Sequence, residues 1–556
     1  MIQTKIISSL EKCFLDQTPN DFNELDTLKF YKNSGASFQL ALYDDGADGK
    51  ISEFYKISVE GTLAPYVNMR SVESVPNYLP LPTFVSEEKA IEDGHLRVKP
   101  GLYPDVLVPL LHNGSVSVMT NLLHSVWFDI SAEHEIAAGD YELNIKLTDK
   151  EGKVVKENNI KLCVIAASLP EADTKVTQWF HADCLADYYD IEVFSDRHFE
   201  ICQNFIKCAA KNGINMIFVP VFTPPLDTTV GGERTTTQLV SVTVENGNYS
   251  FDFSLVERWL NMCTECGMKY FEISHLFTQW GAYHAPKIIA RVNGETKQIF
   301  GWDTDANSDE YISFLNQFLT EFTAFLSSNG YKDNIYFHIS DEPNEEQLPQ
   351  YKRSKSHVRE ALKGWKQFDA LSEVTFFKQG LCDIPVPSVG HIKPFLEEDI
   401  PERWIYYCWE PCIGSSNRLM TMHSARTRFF GIQMYKYGIE GFLHWGYNFY
   451  NDFGSDDCIN PFLNTNGGYW SVSGDCFSVY PGHKGTALES LRLIAFKQGL
   501  DDIRLLKLCE KYYSKKHIIE EIEKICGTIT FDKCVNDTAA MQKIKSCLDK
   551  MIIKAL

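Results

Sequence analysis

The segment Ile335-Tyr-Phe-His-Ile-Ser-Asp-Glu-Pro343 sets two carboxylates side by side at the end of what reads as a short buried strand. Ile335, Phe337 and Ile339 alternate with Tyr336, His338 and Ser340, a period of two at strand length. Pro343 cannot donate a ladder hydrogen bond, so pairing stops there. Asp341 and Glu342 then occupy a strand's carboxyl end, the face where a parallel α/β architecture collects catalytic groups. Two crowded carboxylates can have their proton affinities pushed apart, so acid/base chemistry is the expectation. A competing reading takes the pair as an acidic start to a helix near Glu345, but Glu345 and Glu346 serve that purpose at least as well.

Other expected strand ends carry groups that suit a sugar, whose apolar face stacks on a ring while its hydroxyls take directional hydrogen bonds. After a strand at Tyr270-Ile273 comes Ser274-His-Leu-Phe-Thr-Gln-Trp-Gly281, offering His275, Gln279 and Trp280. Trp409-Glu-Pro411 and His444-Trp-Gly-Tyr-Asn-Phe-Tyr450 follow two later strands and add Trp409, Trp445, Tyr447 and Asn448. For Trp445, inside an apolar strand, core packing and ligand contact are equally good readings; Trp280, beyond a strand and beside Gly281, points to the pocket. His275 and His338 border strand ends and are candidates for sugar hydroxyls, though each also reads as a core histidine. Cys263-Thr-Glu-Cys266 has the spacing of half a zinc site, but it lies in an amphipathic helix without a second pair, and a buried structural role is preferred. No metal and no cofactor is implied.

The elements that must position these groups fall into three regions. Residues 1–168 read as an N-terminal β-sandwich: in Tyr141-Glu-Leu-Asn-Ile-Lys-Leu147, Tyr141, Leu143, Ile145 and Leu147 would face a core and the intervening residues water. Residues 169–500 alternate apolar strands with amphipathic helices, the signature of βα units. Strands are expected at Val176-Phe180, Met216-Val221, Tyr270-Ile273, Ile335-Ile339, Val374-Phe377, Trp404-Cys408 and Gly441-Trp445, with a weak one at Ile384-Val386. That number suggests a (β/α)₈ TIM-type barrel, and the lack of a glycine-rich phosphate motif after the first strand favours it over a doubly wound sheet. Asn246-Gly247 and Asn293-Gly294, each between alternating runs, predict two hairpins inserted on the barrel's upper face. Residues 501–556 read as a helical C-terminal segment.

Composition narrows the partners. A formal net charge of -21 argues against nucleic acid and anionic membranes, which attract basic surfaces, and no run of about eighteen apolar residues suggests a membrane span. Sixteen scattered cysteines and a start without a basic-then-apolar leader point to the cytoplasm.

Several long segments, in order, resemble glycoside hydrolase family 123, the β-N-acetylgalactosaminidases. They are Asp227-Thr-Thr-Val-Gly-Gly-Glu-Arg-Thr-Thr-Thr-Gln-Leu-Val240, Ser274-His-Leu-Phe-Thr-Gln-Trp-Gly-Ala282, Phe300-Gly-Trp-Asp-Thr-Asp-Ala306, Phe337-His-Ile-Ser-Asp-Glu-Pro343 and Gly441-Phe-Leu-His-Trp-Gly-Tyr-Asn448, followed by Tyr480-Pro-Gly482 and Ser490-Leu-Arg492. The resemblance implies release of terminal β-linked N-acetylgalactosamine from a glycan, with retention, by substrate-assisted catalysis. The family's Asp-Glu pair falls on Asp341 and Glu342. Glu342 would protonate the departing oxygen and later deprotonate water; Asp341 would orient the 2-acetamido group whose carbonyl oxygen attacks the anomeric carbon. Tyr406 and Tyr447 are both candidates to hold that carbonyl. Two alternatives remain: a retaining glycosidase with Glu410, after the seventh strand, as nucleophile, and a carbohydrate-binding protein without turnover.

Overall fold

The protein is described by a computed structural model covering residues 1–47, 49–110, 114–131, 135–226 and 228–556. It divides into two compact units, one of residues 1–172, 413–436 and 488–556, the other of 173–412 and 437–487.

The first unit contains two five-stranded sheets. One runs in the order Ile2–Ser8, Ala36–Asp44, Leu123–Ile130, Val67–Asn77, Gly101–Pro109; the other Thr27–Tyr31, Val154–Ile165, Gly139–Thr148, Ser52–Glu60, Ser115–Met119. Alternation decides their inner faces: Phe38, Leu40 and Leu42 of one sheet share a buried core with Leu143, Ile145 and Leu147 of the other. A second core joins helices Leu491–Glu510, Lys515–Cys526 and Thr538–Ala555 with residues Ala425, Phe429, Ile432 and Tyr435.

The second unit is built on eight parallel strands: β1 (Lys175–Gln178), β2 (Met216–Val219), β3 (Tyr270–Ile273), β4 (Ile335–Phe337), β5 (Lys366–Ala370), β6 (Ile384–Val386), β7 (Trp404–Tyr406) and β8 (Gly441–His444). Each pairs with its sequence neighbour from β1 to β6, and β8 pairs with both β1 and β7. A bridge between Ser388 and Tyr406, with the Tyr406 N–H donating to the Pro387 carbonyl at 3.0 Å, brings β6 to β7 and nearly closes the barrel. The strands are short and buried on both faces, as parallel strands under helices are.

One strand is not where β propensity puts it. Val374–Lys378 is a short helix, and β5 is formed by Lys366-Gln-Phe-Asp-Ala370 instead. The β-branched and aromatic run Val374-Phe377 favours a strand only weakly against tertiary context. The real strand carries polar side chains, Gln367 and Asp369, that are buried with partners: the Leu362 carbonyl for Gln367, and the Ile339 and Ser340 amides for Asp369.

The two hairpins form as their turns predict. Ser241–Glu245 pairs with Asn248–Asp252 and Ile288–Val292 with Glu295–Phe300, while Asn246-Gly247 and Asn293-Gly294 take the left-handed conformations such turns require. Parallel pairing of Thr243 with Arg291 fuses them into one four-stranded sheet. Phe251 and Phe253 of the first hairpin pack on Phe314, Phe318 and Phe322, an i, i+4 ridge of the helix Asp309–Ser328.

Candidate active site

The Asp-Glu pair lies just past β4, where the chain leaves the barrel. Asp341 is 8% exposed, whereas Glu342 is open to solvent. The peptide joining them is clamped from both sides: its carbonyl accepts from the Trp280 N–H at 2.7 Å, and its N–H donates to the Ala370 carbonyl at 2.8 Å. The loop after β3 and the end of β5 thus fix the pair. Glu342 sits at φ 42°, a left-handed conformation costly for a residue with a Cβ and held only where the surroundings over-determine it. Its carboxylate accepts a hydrogen bond from the Tyr406 hydroxyl. Burial, reinforced by the Glu342 charge, pushes the Tyr406 phenol well above its ordinary value, so it stays a donor.

Beneath the pair lies a charged network. Glu272 in β3 is fully buried and accepts from Thr177 Oγ1 at 2.7 Å, Trp179 Nε1 at 2.5 Å and the His338 ring. The other His338 ring nitrogen lies 3.3 Å from Asp369 Oδ1. Burial lowers the His338 proton affinity, but the adjacent Glu272 and Asp369 carboxylates outweigh it and raise its pKa to about 9. His338 is therefore an imidazolium held between two carboxylates. Asp369 also accepts from the backbone N–H groups of Ile339 at 2.8 Å and Ser340 at 3.3 Å, and from the Tyr351 hydroxyl. The strand extension that delivers Asp341 and Glu342 is tied down by a carboxylate of the next strand.

The remaining sequence candidates separate into two groups. His275 is wholly buried with its ring stacked on His338 at 4.0 Å; burial, then the His338 charge, drives its pKa far down and leaves it neutral. Gln279 is buried and Trp280 is half exposed beside the pair, while Trp409 and Trp445 are half-buried after β7 and β8. Trp445 Nε1 donates to Asp475 at 3.2 Å, and the same carboxylate accepts from Ser471 at 2.9 Å and lies 3.5 Å from His444. Tyr447 and Asn448 are buried. The Tyr447 hydroxyl donates to the Phe205 carbonyl at 2.9 Å, and the Asn448 amide spans the backbone N–H and carbonyl of His181, both at 2.9 Å. Both side chains thus bond backbone at these atoms. His338 likewise supports the site from below instead of facing it. Glu410 is exposed. Cys263 and Cys266 are buried along the helix Ser254–Glu265 and its C-terminus, and burial raises both thiols. Asp227 lies outside the described residues.

Sequence reasoning passed over Glu272, Asp369, Tyr351 and Asp475. Glu272 had a signal: a lone carboxylate inside the apolar strand Tyr-Phe-Glu-Ile must be buried, and a buried charge needs partners.

Comparison with known proteins places this geometry. The family profile for the glycoside hydrolase 123 catalytic domain matches residues 179–509. A family 123 glycoside hydrolase from Clostridium perfringens, studied for glycolipid glycan hydrolysis, shares the fold with a TM-score of 0.74 at 16% identity, over 100% of this chain and 97% of its own. A β-glucuronidase from Parabacteroides merdae aligns at 8% identity over 92% of this chain and 52% of its own, with a TM-score of 0.31. β-Glucuronidase 3 from Bacteroides uniformis aligns at 9% identity over 89% and 52%, with a TM-score of 0.30; likenesses this slight carry no argument. No curated protein sequence matches the chain. With a profile spanning well over half of its length and a barrel that sets an Asp-Glu pair past its fourth strand, the chain belongs to glycoside hydrolase family 123 and is a glycosidase by family and fold.

Proposed function

We propose that the protein is a retaining exo-glycosidase that releases terminal β-linked N-acetylgalactosamine from glycans by substrate-assisted catalysis. The observation that carries this reading is the unlike surroundings of two adjacent carboxylates: Asp341 sheltered, Glu342 open to solvent and hydrogen-bonded to Tyr406. A sheltered carboxylate suits a fixed charge, and an open one suits proton exchange with water and leaving group. Asp341 accepts the N–H of the 2-acetamido group and stabilises the positive charge that grows there as the carbonyl oxygen attacks the anomeric carbon. Glu342 gives its proton to the glycosidic oxygen, the sugar closes to an oxazolinium, and Glu342 then removes a proton from the water that opens it. No carboxylate across the pocket is needed as nucleophile. Trp280, Trp409 and Trp445 supply apolar surface for the ring, and Tyr406, whose hydroxyl donates to Glu342, is the tyrosine to reach the acetamido carbonyl once Glu342 turns to the leaving oxygen. The glycan substrate accords with the Clostridium perfringens relative, whose hydrolysis of glycolipid glycans is described. On the same basis we take the paired N-terminal sheets, which share one core, for a β-sandwich without a part in the chemistry.

The test is a paired assay on 4-nitrophenyl β-N-acetylgalactosaminide and its gluco epimer. A site built to hydrogen-bond one epimer strands buried polar groups against the other, so the galacto substrate is expected to lead in kcat/KM by about tenfold or more. Equal rates would overturn the galactosaminide assignment, and release from neither would overturn the hexosaminidase reading.

A further inference from the structure

The first unit, which holds neither Asp341 nor Glu342, has a cavity of its own. Residues of the strand Thr27–Tyr31 and of the helices Leu491–Glu510 and Thr538–Ala555 line a space of about 340 Å³, and every residue around it belongs to this unit. Ligand pockets run from roughly 300 to 1,000 Å³, so the space suits one sugar ring and not a chain of them. Leu10, Leu169 and Leu505 make part of the lining apolar, and charged residues of both signs make up much of the rest. Those charges are already matched. Arg428 donates to both oxygens of Asp502, at 2.6 and 2.8 Å. Asp549 accepts from Lys545 at 2.6 Å and from the Tyr31 hydroxyl at 2.8 Å, and Asp501 accepts from Lys497 at 2.6 Å and Arg504 at 2.8 Å. An ionic ligand would have to break one of these pairs, whereas a neutral one can add to them.

One polar group of the lining is left over. Gln498 Nε2 donates to Ser9 Oγ at 3.1 Å, but its Oε1 is buried with no partner among the described residues. Turning the amide over would only strand the nitrogen instead. A buried amide end without a partner is costly, so the cavity favours a guest that can bond there. A hydroxyl both donates and accepts, which answers either orientation of the amide and also suits carboxylates and guanidinium alike. A sugar combines several hydroxyls with C–H faces that can lie on leucine side chains. We propose that this cavity is a second carbohydrate site, taking a single neutral pyranose whose hydroxyls bond Gln498 and join the Arg428-Asp502 and Lys545-Asp549 pairs. The site is independent of the activity proposed above.

Saturation-transfer NMR on the full chain with methyl β-galactopyranoside tests it, in the presence of excess N-acetylgalactosamine thiazoline to occupy the barrel's own site. Transfer to the galactoside is expected to persist under the thiazoline and to titrate with a Kd of about 1–10 mM. Two variants locate the signal. Gln498→Met keeps the size of the side chain and removes its polar end, and Ser546→Phe, at a half-buried position on the lining helix, fills the space. Each should weaken binding about fivefold or more while circular dichroism shows the fold retained; if Ser546→Phe disturbs its helix, Gln498→Met alone decides. No transfer in the unaltered protein would mean that the cavity holds water only, and would overturn the site. Transfer abolished by the thiazoline would assign the galactoside to the barrel, and transfer undiminished in Gln498→Met would place it elsewhere on the surface; either result overturns the proposal and leaves the glycosidase reading standing.

Discussion

Glu342→Gln is expected to lower kcat/KM on an unactivated disaccharide by about 10²–10⁴, the range a positioned general acid/base supplies. The amide keeps the size of the side chain and can still accept from Tyr406, so the fold and the Asp341 peptide clamp should survive. What is lost is a transferable proton. The first step on 4-nitrophenyl substrates should suffer less, because nitrophenolate departs with little help, whereas attack of water on the oxazolinium still needs a base. A smaller deficit on the activated substrate than on the disaccharide is therefore the signature sought. Undiminished activity on both would remove Glu342 from the mechanism.

Glu272→Gln should cost stability, with a pH signature that identifies the cause. The substitution strips His338 of its closest carboxylate, and breaking a buried ion pair from one side costs about 3–5 kcal/mol. The sign follows from linkage. His338 has a pKa of about 9 in the folded protein against 6.5 for a free imidazole, so its protonation stabilises the fold fully below 6.5 and the contribution is lost as pH rises through about 9. Urea unfolding at about pH 6 and about pH 10 should show the unaltered protein losing stability across that window and Glu272→Gln losing less of it. The difference between the two proteins is the quantity to read, because thiols raised by burial, such as Cys202, add an alkaline loss common to both. Equal stabilities at about pH 6, or parallel pH dependence, would mean that Glu272 and His338 are not the coupled pair described. Since Asp369 touches both His338 and the Ile339 and Ser340 amides, part of the Glu272→Gln effect should also appear as slower turnover.

How much of this was legible in the sequence depends on whether a residue's neighbours in the chain are also its neighbours in space. Ile335 to Pro343 announced itself, because alternation, two carboxylates and a proline are local signals, and β4 with its pair falls there. The hairpins were equally plain, since an Asn-Gly turn has a conformational cause that tertiary packing seldom overrides. β5 was not legible. Its Gln367 and Asp369 read as surface residues until their partners are known, the Leu362 carbonyl for the first and the Ile339 and Ser340 amides and Tyr351 hydroxyl for the second, whereas Val374 to Phe377 reads as a strand and folds as a helical turn. Tyr447 and Asn448 show what a motif leaves open. They follow His444 within a segment typical of the family, yet their polar atoms secure the backbone of Phe205 and His181. A motif reports that a residue is constrained, and only its contacts report by what.

The central claim is that the substrate's own acetamido oxygen is the nucleophile. It is tested most directly by kcat/KM across a series of 4-nitrophenyl β-galactosaminides whose N-acetyl groups carry progressively more fluorine, because each fluorine weakens that oxygen as a nucleophile and alters the leaving group not at all. The account predicts a steep fall along the series, by orders of magnitude from acetyl to trifluoroacetyl. A flat series, with Glu410→Gln abolishing turnover, would contradict it and return the reaction to an enzyme carboxylate.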